Sequence, residues 1–346
     1  MKMPLLTLIA SLTLANPAWA VTVSAVGDIM MGTDYPAAAA LVNGDFFKFL
    51  RPIIKNDDIR FGNLEGTLFD GPAQDDGKAG GANRYLFRTP TPMVSHLKNA
   101  GFNVLSLANN HARDFGRAGL ESTKRTLSLN QIQYSSKDGE VSEFNINGTR
   151  VALIATDFYP GRRSITSSAA TLEEIRMLKQ RFAIVIVSAH AGGEGVGAEH
   201  VYNRKEIFLG ENRGNSVEFA RQAVEAGADL ILMHGPHVPR GLEVHNDRLI
   251  AYSLGNFVTE RGININGYAG LAPLLEVEMD RSGRFKSGKI TSFKQIRGQP
   301  VRLDPAQQAF RLMSQVSRSD FPNSAPSFSG EGFIYPFNAK ISGLRP

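Results

Sequence analysis

Several strand-like segments of this chain each run into a side chain that can hold a metal or anchor a hydrogen bond. Asp28 closes the first, Asn63 and Glu65 the second, Asn109, Asn110 and His111 the third, His190 the fourth, and His234 with His237 the fifth. Strand ends on one edge of a sheet converge, so groups far apart in sequence can share one site. Carboxylate, imidazole and carboxamide donors together suit Zn, Mn or Fe rather than a dedicated calcium cage. Each residue alone has an ordinary reading. Asp28 could cap the next segment, Glu65 beside Gly66 could be a solvated turn residue, and His190 could be a satisfied core histidine. Three consecutive polar groups after a buried strand are harder to reconcile with packing. Gly235-Pro236 between His234 and His237 is a turn able to hold two imidazoles at short range.

The elements that must position these groups follow from periodicity. Residues 21–26, 59–64, 103–107, 183–188 and 229–233 are apolar or β-branched and read as strands. Residues 46–54, 91–100, 116–129, 173–181 and 216–226 have helical spacing, with Gly101 and Gly227 as stops. Residues 144–154 look antiparallel, and further strands are expected at 249–254 and 274–279. Alternating strands and helices with late hairpins predict an α/β fold with mixed sheets. Residues 70–83 and 192–214 read as glycine-rich polar loops. Beyond Pro300 the pattern weakens, so residues 21–299 form one domain and 300–346 a loosely packed extension.

Lys2, an apolar run at 5–14 and Ala18-Trp19-Ala20 have the order of a secretory signal peptide over residues 1–20, which predicts an exported, periplasmic or secreted protein. The chain has no cysteine, so stability must come from core burial or bound metal rather than disulfides. Its net charge of +5 is scattered, without the basic stripe and interleaved aromatics of a nucleic-acid surface. Such a charge is compatible with acidic polymers or anionic headgroups.

Gly27-Asp28-Ile29-Met30, Asn63-Leu64-Glu65-Gly66, Phe87-Arg88-Thr89-Pro90, the run from Leu107 to Gly116, His234-Gly235-Pro236-His237-Val238 and Tyr252-Ser253-Leu254-Gly255-Asn256-Phe257 together resemble the CapA-type (poly-γ-glutamate capsule synthesis) family. That family is similar to the calcineurin-like metallophosphoesterases, and the resemblance runs from residue 23 to about 258. It implies a four-layer α/β/β/α sandwich with two mixed β-sheets and a pair of divalent metal ions, Mn, Zn or Fe. By the same resemblance Asp28 and His237 bind the first metal, Glu65 bridges, and Asn110, His190 and His234 bind the second. His111, with Asp114, would stabilise the transition state or protonate the leaving group. Asn63, Arg88, Asn109 and Asn256 would contact substrate. The chain departs from the superfamily at Met30, where a histidine is usual, at Glu65, where aspartate is usual, at Met233 for glycine and at Ala191 for tryptophan.

Two functions follow as expectations. One is an exported metal-dependent hydrolase of a phosphoester or related envelope bond. The other is a non-catalytic factor that binds an anionic envelope polymer such as poly-γ-glutamate and aids its assembly or export, in possible association with membrane-bound capsule-synthesis machinery. Arg84 and Arg88 are candidate anion contacts. Glu194 is a candidate orienter of imidazole, and His200 in the polar loop could approach substrate.

Overall fold

Apolar side chains alternate between the two faces of each strand, and that parity builds the layers. The computed structural model describes residues 20–36, 40–72, 85–195 and 197–337. Residues 1–19 of the expected signal peptide, Arg84 with most of the loop at 70–83, and the last nine residues lie outside this description.

Strands β1 (Val21–Met30), β2 (Ile59–Leu64), β3 (Val104–Ser106) and β4 (Gln133–Ser135) run parallel and form one side of a ten-stranded sheet. A second sheet, of six strands, follows with β5 (Ser142–Ile146), β6 (Thr149–Asp157), β7 (Ile184–His190), β8 (Leu230–His234), β9 (Leu242–His245) and β10 (Arg248–Ala251). In it β6, β7, β8 and β10 are parallel, and β5 and β9 are antiparallel edge strands. The chain then returns to the first sheet. β11 (Asn256–Thr259) pairs parallel with the end of β1, while β12 (Leu271–Met279), β13 (Phe285–Lys294) and β14 (Phe333–Tyr335) extend it antiparallel. Both sheets are therefore mixed.

The sheets pack face to face through Val21, Val23, Phe61, Val104 and Leu275 from one, and Leu153, Ile184, Ile186, Leu230 and Leu232 from the other. Helices α1 (Arg51–Ile54), α2 (Val94–Ala100) and α3 (Gly116–Leu129) cover the outer face of the first sheet. Helices α4 (Ala169–Lys179) and α5 (Ser216–Ala226) cover the second through Ile175, Phe219 and Ala223 against Val185, Val187 and Ile231. This is the expected α/β/β/α sandwich. Helix α5 starts where the Asn215 side chain accepts from the Glu218 amide and stops at left-handed Gly227, as its sequence predicts. Helix α1 is shorter than its periodicity suggests, because Pro52 sits in its first turn and no proline is tolerated deeper in a helix. Among the described residues no helix is long and apolar enough to cross a membrane.

The region after Pro300 corrects the expectation of loose packing. Helix α6 (Gln308–Asp320) buries Ala309, Met313 and Val316, Phe321 stacks on Tyr252 at 4.9 Å, and β14 is paired into the first sheet. Serine content concealed it. The Ser317 hydroxyl is fully buried, accepts from the Leu242 amide at 2.7 Å and donates to the Met313 carbonyl. A residue that reads as solvent-facing thus serves as the contact point of the helix. Replacing Met313, which is fully buried, by alanine is expected to lower unfolding free energy by about 2–5 kcal/mol. Urea denaturation checks this, since a loosely held segment would change it by less than about 0.5 kcal/mol.

Candidate metal centre

Strand parity explains how the second sheet delivers two imidazoles. Ile184 and Ile186 on β7, and Leu230 and Leu232 on β8, point at the first sheet. Continuing by twos brings His190 and His234 to the same face. They are register partners, fully buried, with ring centroids 5.8 Å apart. The His234 Nε2 lies 2.9 Å from the Ser188 hydroxyl, also on that face. Among the described residues the His234 Nδ1 and both nitrogens of His190 have no hydrogen-bond partner. Burial holds His234 neutral, its pKa pushed down to about 4, and burial with the neighbouring His234 pushes His190 well below the ordinary imidazole range.

The first sheet contributes the carboxylates. Gly27 sits where a β-carbon would fall 1.9 Å from the Gly255 carbonyl oxygen, and Asp28 N–H donates to that same oxygen at 2.9 Å. The Gly-Asp and Leu-Gly-Asn segments are therefore a single contact, and only glycine permits it. Asp28 is in register with Asn63 on β2 and Asn256 on β11. The Asn63 amide donates to Asp28 Oδ1 at 2.8 Å, and Asp28 Oδ2 lies 2.9 Å from His237 Nδ1. Glu65, just past β2, is fully buried, and among the described residues neither of its oxygens has a hydrogen-bond partner, the nearest opposite charge being His237 Nδ1 at 3.8 Å from Oε2. Ligand-capable atoms of Asp28, Glu65 and His237 all lie within 4.8 Å of one another. Burial, then the Asp28 charge, raises Glu65 well above the usual carboxylate range. Burial alone would depress His237, yet Glu65 and Asp28 hold it up to about 10.

Glu194 completes the ring of charge. Its Oε2 is 3.9 Å from His237 Nε2, and its Oε1 is held 2.7 Å from Arg213, whose guanidinium lies 4.3 Å over Phe158. On the opposite side, Asn109 donates to Asn63 Oδ1 at 3.0 Å and to the Leu64 carbonyl at 2.9 Å, and accepts from the His111 amide at 3.0 Å. His111 Nδ1 is 2.8 Å from Asp114 Oδ2, and its ring lies 4.2 Å from that of Phe87. The same Asp114 oxygen accepts the Phe87 amide at 2.8 Å. Beside Asn109 and Asn110 opens a cavity of about 480 Å³ walled also by Lys137, Asp157, Tyr159 and Glu211.

The predicted residues thus assemble in two groups, Asp28, Glu65 and His237 on the first sheet's side and His190 with His234 on the second's. The groups sense each other, since His234 feels the charges of Asp28 and His237, and His190 those of His237 and His111. Among the described residues, thirteen buried side-chain nitrogen and oxygen atoms have no hydrogen-bond partner, and six of them belong to Glu65, Asn110, His190 and His234. Those atoms are imidazole nitrogens, carboxylate oxygens and a carboxamide oxygen, the donor types of a Zn, Mn or Fe site. The residues present fit a divalent cation.

Two expectations are corrected. Asn63 and Asn256, read as substrate contacts, are fully buried. Asn63 joins Asp28 to Asn109, while Asn256 donates to the carbonyls of His237 and Ala269 and offers Oδ1 to His237 Nδ1 at 3.0 Å. Asn109 is committed as described, and Arg88 donates to Asp34 at 2.6 Å and to the Gly71 carbonyl at 3.0 Å. Register with Asp28 claims Asn63 and Asn256 for positioning, while Asn109 also stands on the wall of the cavity. His200 is also drawn away, since its Nδ1 lies 2.7 Å from Asp320 on α6. Ser188 and Arg213 escaped the sequence reading. Ser188 shares His190's parity and could have been found by counting in twos, whereas Arg213 comes from a loop with no local signal. Met30, the departure from histidine, packs with Phe87 and Ile263 behind His111.

Residues 22–261 match the family model for the bacterial capsule synthesis protein PGA_cap. The chain is 31% identical over 263 residues to the capsule biosynthesis protein CapA of Bacillus anthracis, covering 70% of this chain and 60% of that one. It is 28% identical to the PGA biosynthesis protein CapA of Bacillus subtilis, covering 86% of this chain and 78% of that one. Among solved structures it is similar to a 5'-nucleotidase precursor from Thermus thermophilus, at 14% identity and a TM-score of 0.45, over 87% of this chain and 59% of that one. With a family model spanning most of its described length, the chain belongs to the bacterial capsule synthesis PGA_cap family.

Proposed function

We propose that this protein is an exported, divalent-metal-dependent hydrolase of a phosphoester or related envelope bond, acting in the synthesis of an anionic capsule polymer such as poly-γ-glutamate. The observation that carries the reading is the Asp28, Glu65 and His237 cluster together with the buried ligand atoms of Glu65, His190 and His234 that have no hydrogen-bond partner among the described residues. His234 and His190 lie within reach of the His237 charge. The names of the two Bacillus relatives support the capsule context.

Asp28 and His237 would hold one cation, Asn110, His190 and His234 a second, with Glu65 able to serve both through its two uncommitted oxygens. Divalent cations held there would stabilise charge on phosphoryl oxygens as Lewis acids. The chain's own residues do the rest. A carboxylate can only accept, so Asp114 keeps the His111 proton on Nδ1 and leaves Nε2 to exchange a proton with a leaving oxygen. Phe87 fixes the plane of that ring. Asn63 and Asn256 hold Asp28 and His237 in place, which is the role of partners behind a metal ligand. The cavity beside Asn110 receives the organic part of the substrate, with Lys137 and Tyr159 on its wall.

Purified protein supplied with Mn, Zn or Fe is expected to retain divalent metal by elemental analysis, and replacing His190 or His237 by alanine should remove at least half of it. Metal-free native protein, inactive on bis-p-nitrophenyl phosphate with every added metal, would leave the non-catalytic polymer-binding role in its place. In the active protein, His111→Ala is expected to lower kcat on that ester about 100-fold or more while metal content stays unchanged. A second variant separates positioning from chemistry. Asn256→Ala should weaken metal affinity by about 10–100-fold in a competition titration against a chelator.

A further inference from the structure

The outer part of the polar loop is a hairpin whose pattern is inverted. Ile207–Phe208 pairs antiparallel with Glu211–Asn212, turning through Leu209 and Gly210, both at positive φ, 48° and 82°. Two-residue turns of this shape take Asn-Gly readily, whereas a leucine β-carbon clashes in left-handed backbone. Leucine is there against local preference.

Parity sharpens the anomaly. Glu206 turns inward to Arg240, at 2.7 Å, and Phe208 turns inward against the Arg213 guanidinium, at 5.3 Å. The outward face carries Lys205, Ile207 and Leu209, with Ile207 60% and Leu209 76% exposed. Five residues before Ile207 in the same loop, Tyr202 is 55% exposed, with the exposed Arg204 guanidinium 4.9 Å over its ring. The acidic residue nearest the tip, Glu211, is turned back to Arg213 at 2.9 Å and to the Tyr159 hydroxyl at 2.9 Å. Single exposed apolar residues are ordinary. Two on one face of a strained tip, flanked by an aromatic ring and two exposed cations, have the composition of an interfacial anchor.

We propose that this hairpin docks on an anionic lipid surface, with Leu209 and Ile207 entering the apolar layer, Tyr202 at its boundary, and Arg204 and Lys205 against phosphate headgroups. The test compares otherwise identical full-length chains, so that any contribution from residues 1–19 is common to all. Sedimentation is measured with vesicles of mixed phosphatidylglycerol and phosphatidylcholine, and with phosphatidylcholine alone. The native chain is expected to prefer the anionic vesicles, with retention falling as salt rises. Leu209→Asn should weaken that binding about tenfold, the loss of one buried aliphatic side chain, while its thermal midpoint stays level or rises because asparagine suits the turn. Arg204→Glu with Lys205→Glu should abolish the preference for phosphatidylglycerol. Equal retention of Leu209→Asn and native chains, or no preference between the two vesicles, overturns the proposal and leaves the tip to a protein partner.

Discussion

The centre rests on polar atoms buried at the ends of two sheets with no hydrogen-bond partner among the described residues. Each such atom costs about 1–3 kcal/mol, and six of them belong to Glu65, Asn110, His190 and His234. Their sum is comparable to the whole stability of an ordinary domain, about 5–15 kcal/mol. A fold can carry that load only by concentrating it where a ligand relieves it and by placing the apolar core elsewhere. The inter-sheet and helix-facing clusters do so, and a cation binding at the centre is thereby coupled to folding.

Rigidity around the load comes from carboxamides rather than from charge. Asn63, Asn109 and Asn256 are neutral, so they can link Asp28, His237 and the His111 segment inside the protein without adding ionic desolvation. Desolvation would penalise lysine or arginine at those positions far more. The same economy places Met30 at the position of an expected imidazole. Its side chain packs on Phe87, and Phe87 lies against the ring of His111, so the residue adds packing beside His111 instead of a further ligand.

Much of this was legible in the sequence, because parity and strand-end chemistry are local. The limits of α3 and α5 and the mixed α/β class follow from periods of 2 and 3.6 and from stops such as Gly227. The placing of Asp28, Glu65, His190, His234 and His237 at strand ends follows from the same reading, and the four-layer arrangement came from the family resemblance. What failed was non-local. Asn63 and Asn256 carry the residue type of a substrate contact, and only their register against Asp28 reveals that they are enclosed. Ser317 conceals a packed helix, since a serine that answers a distant amide looks like any surface serine.

The polar loop at 192–214 shows how one stretch of chain can face two environments. Glu194 and Arg213 belong to the centre, while Lys205, Ile207 and Leu209 face away from it. Glu206 makes the division possible. Its carboxylate accepts the Gly193 amide at 2.9 Å and Arg240 at 2.7 Å, with Arg240 itself fully buried. That buried anchor ties the base of the hairpin to the Gly193 backbone beside Glu194. The inward residues of the hairpin therefore secure the electrostatics of the centre, and leave the outward residues at liberty to be chosen by what they touch.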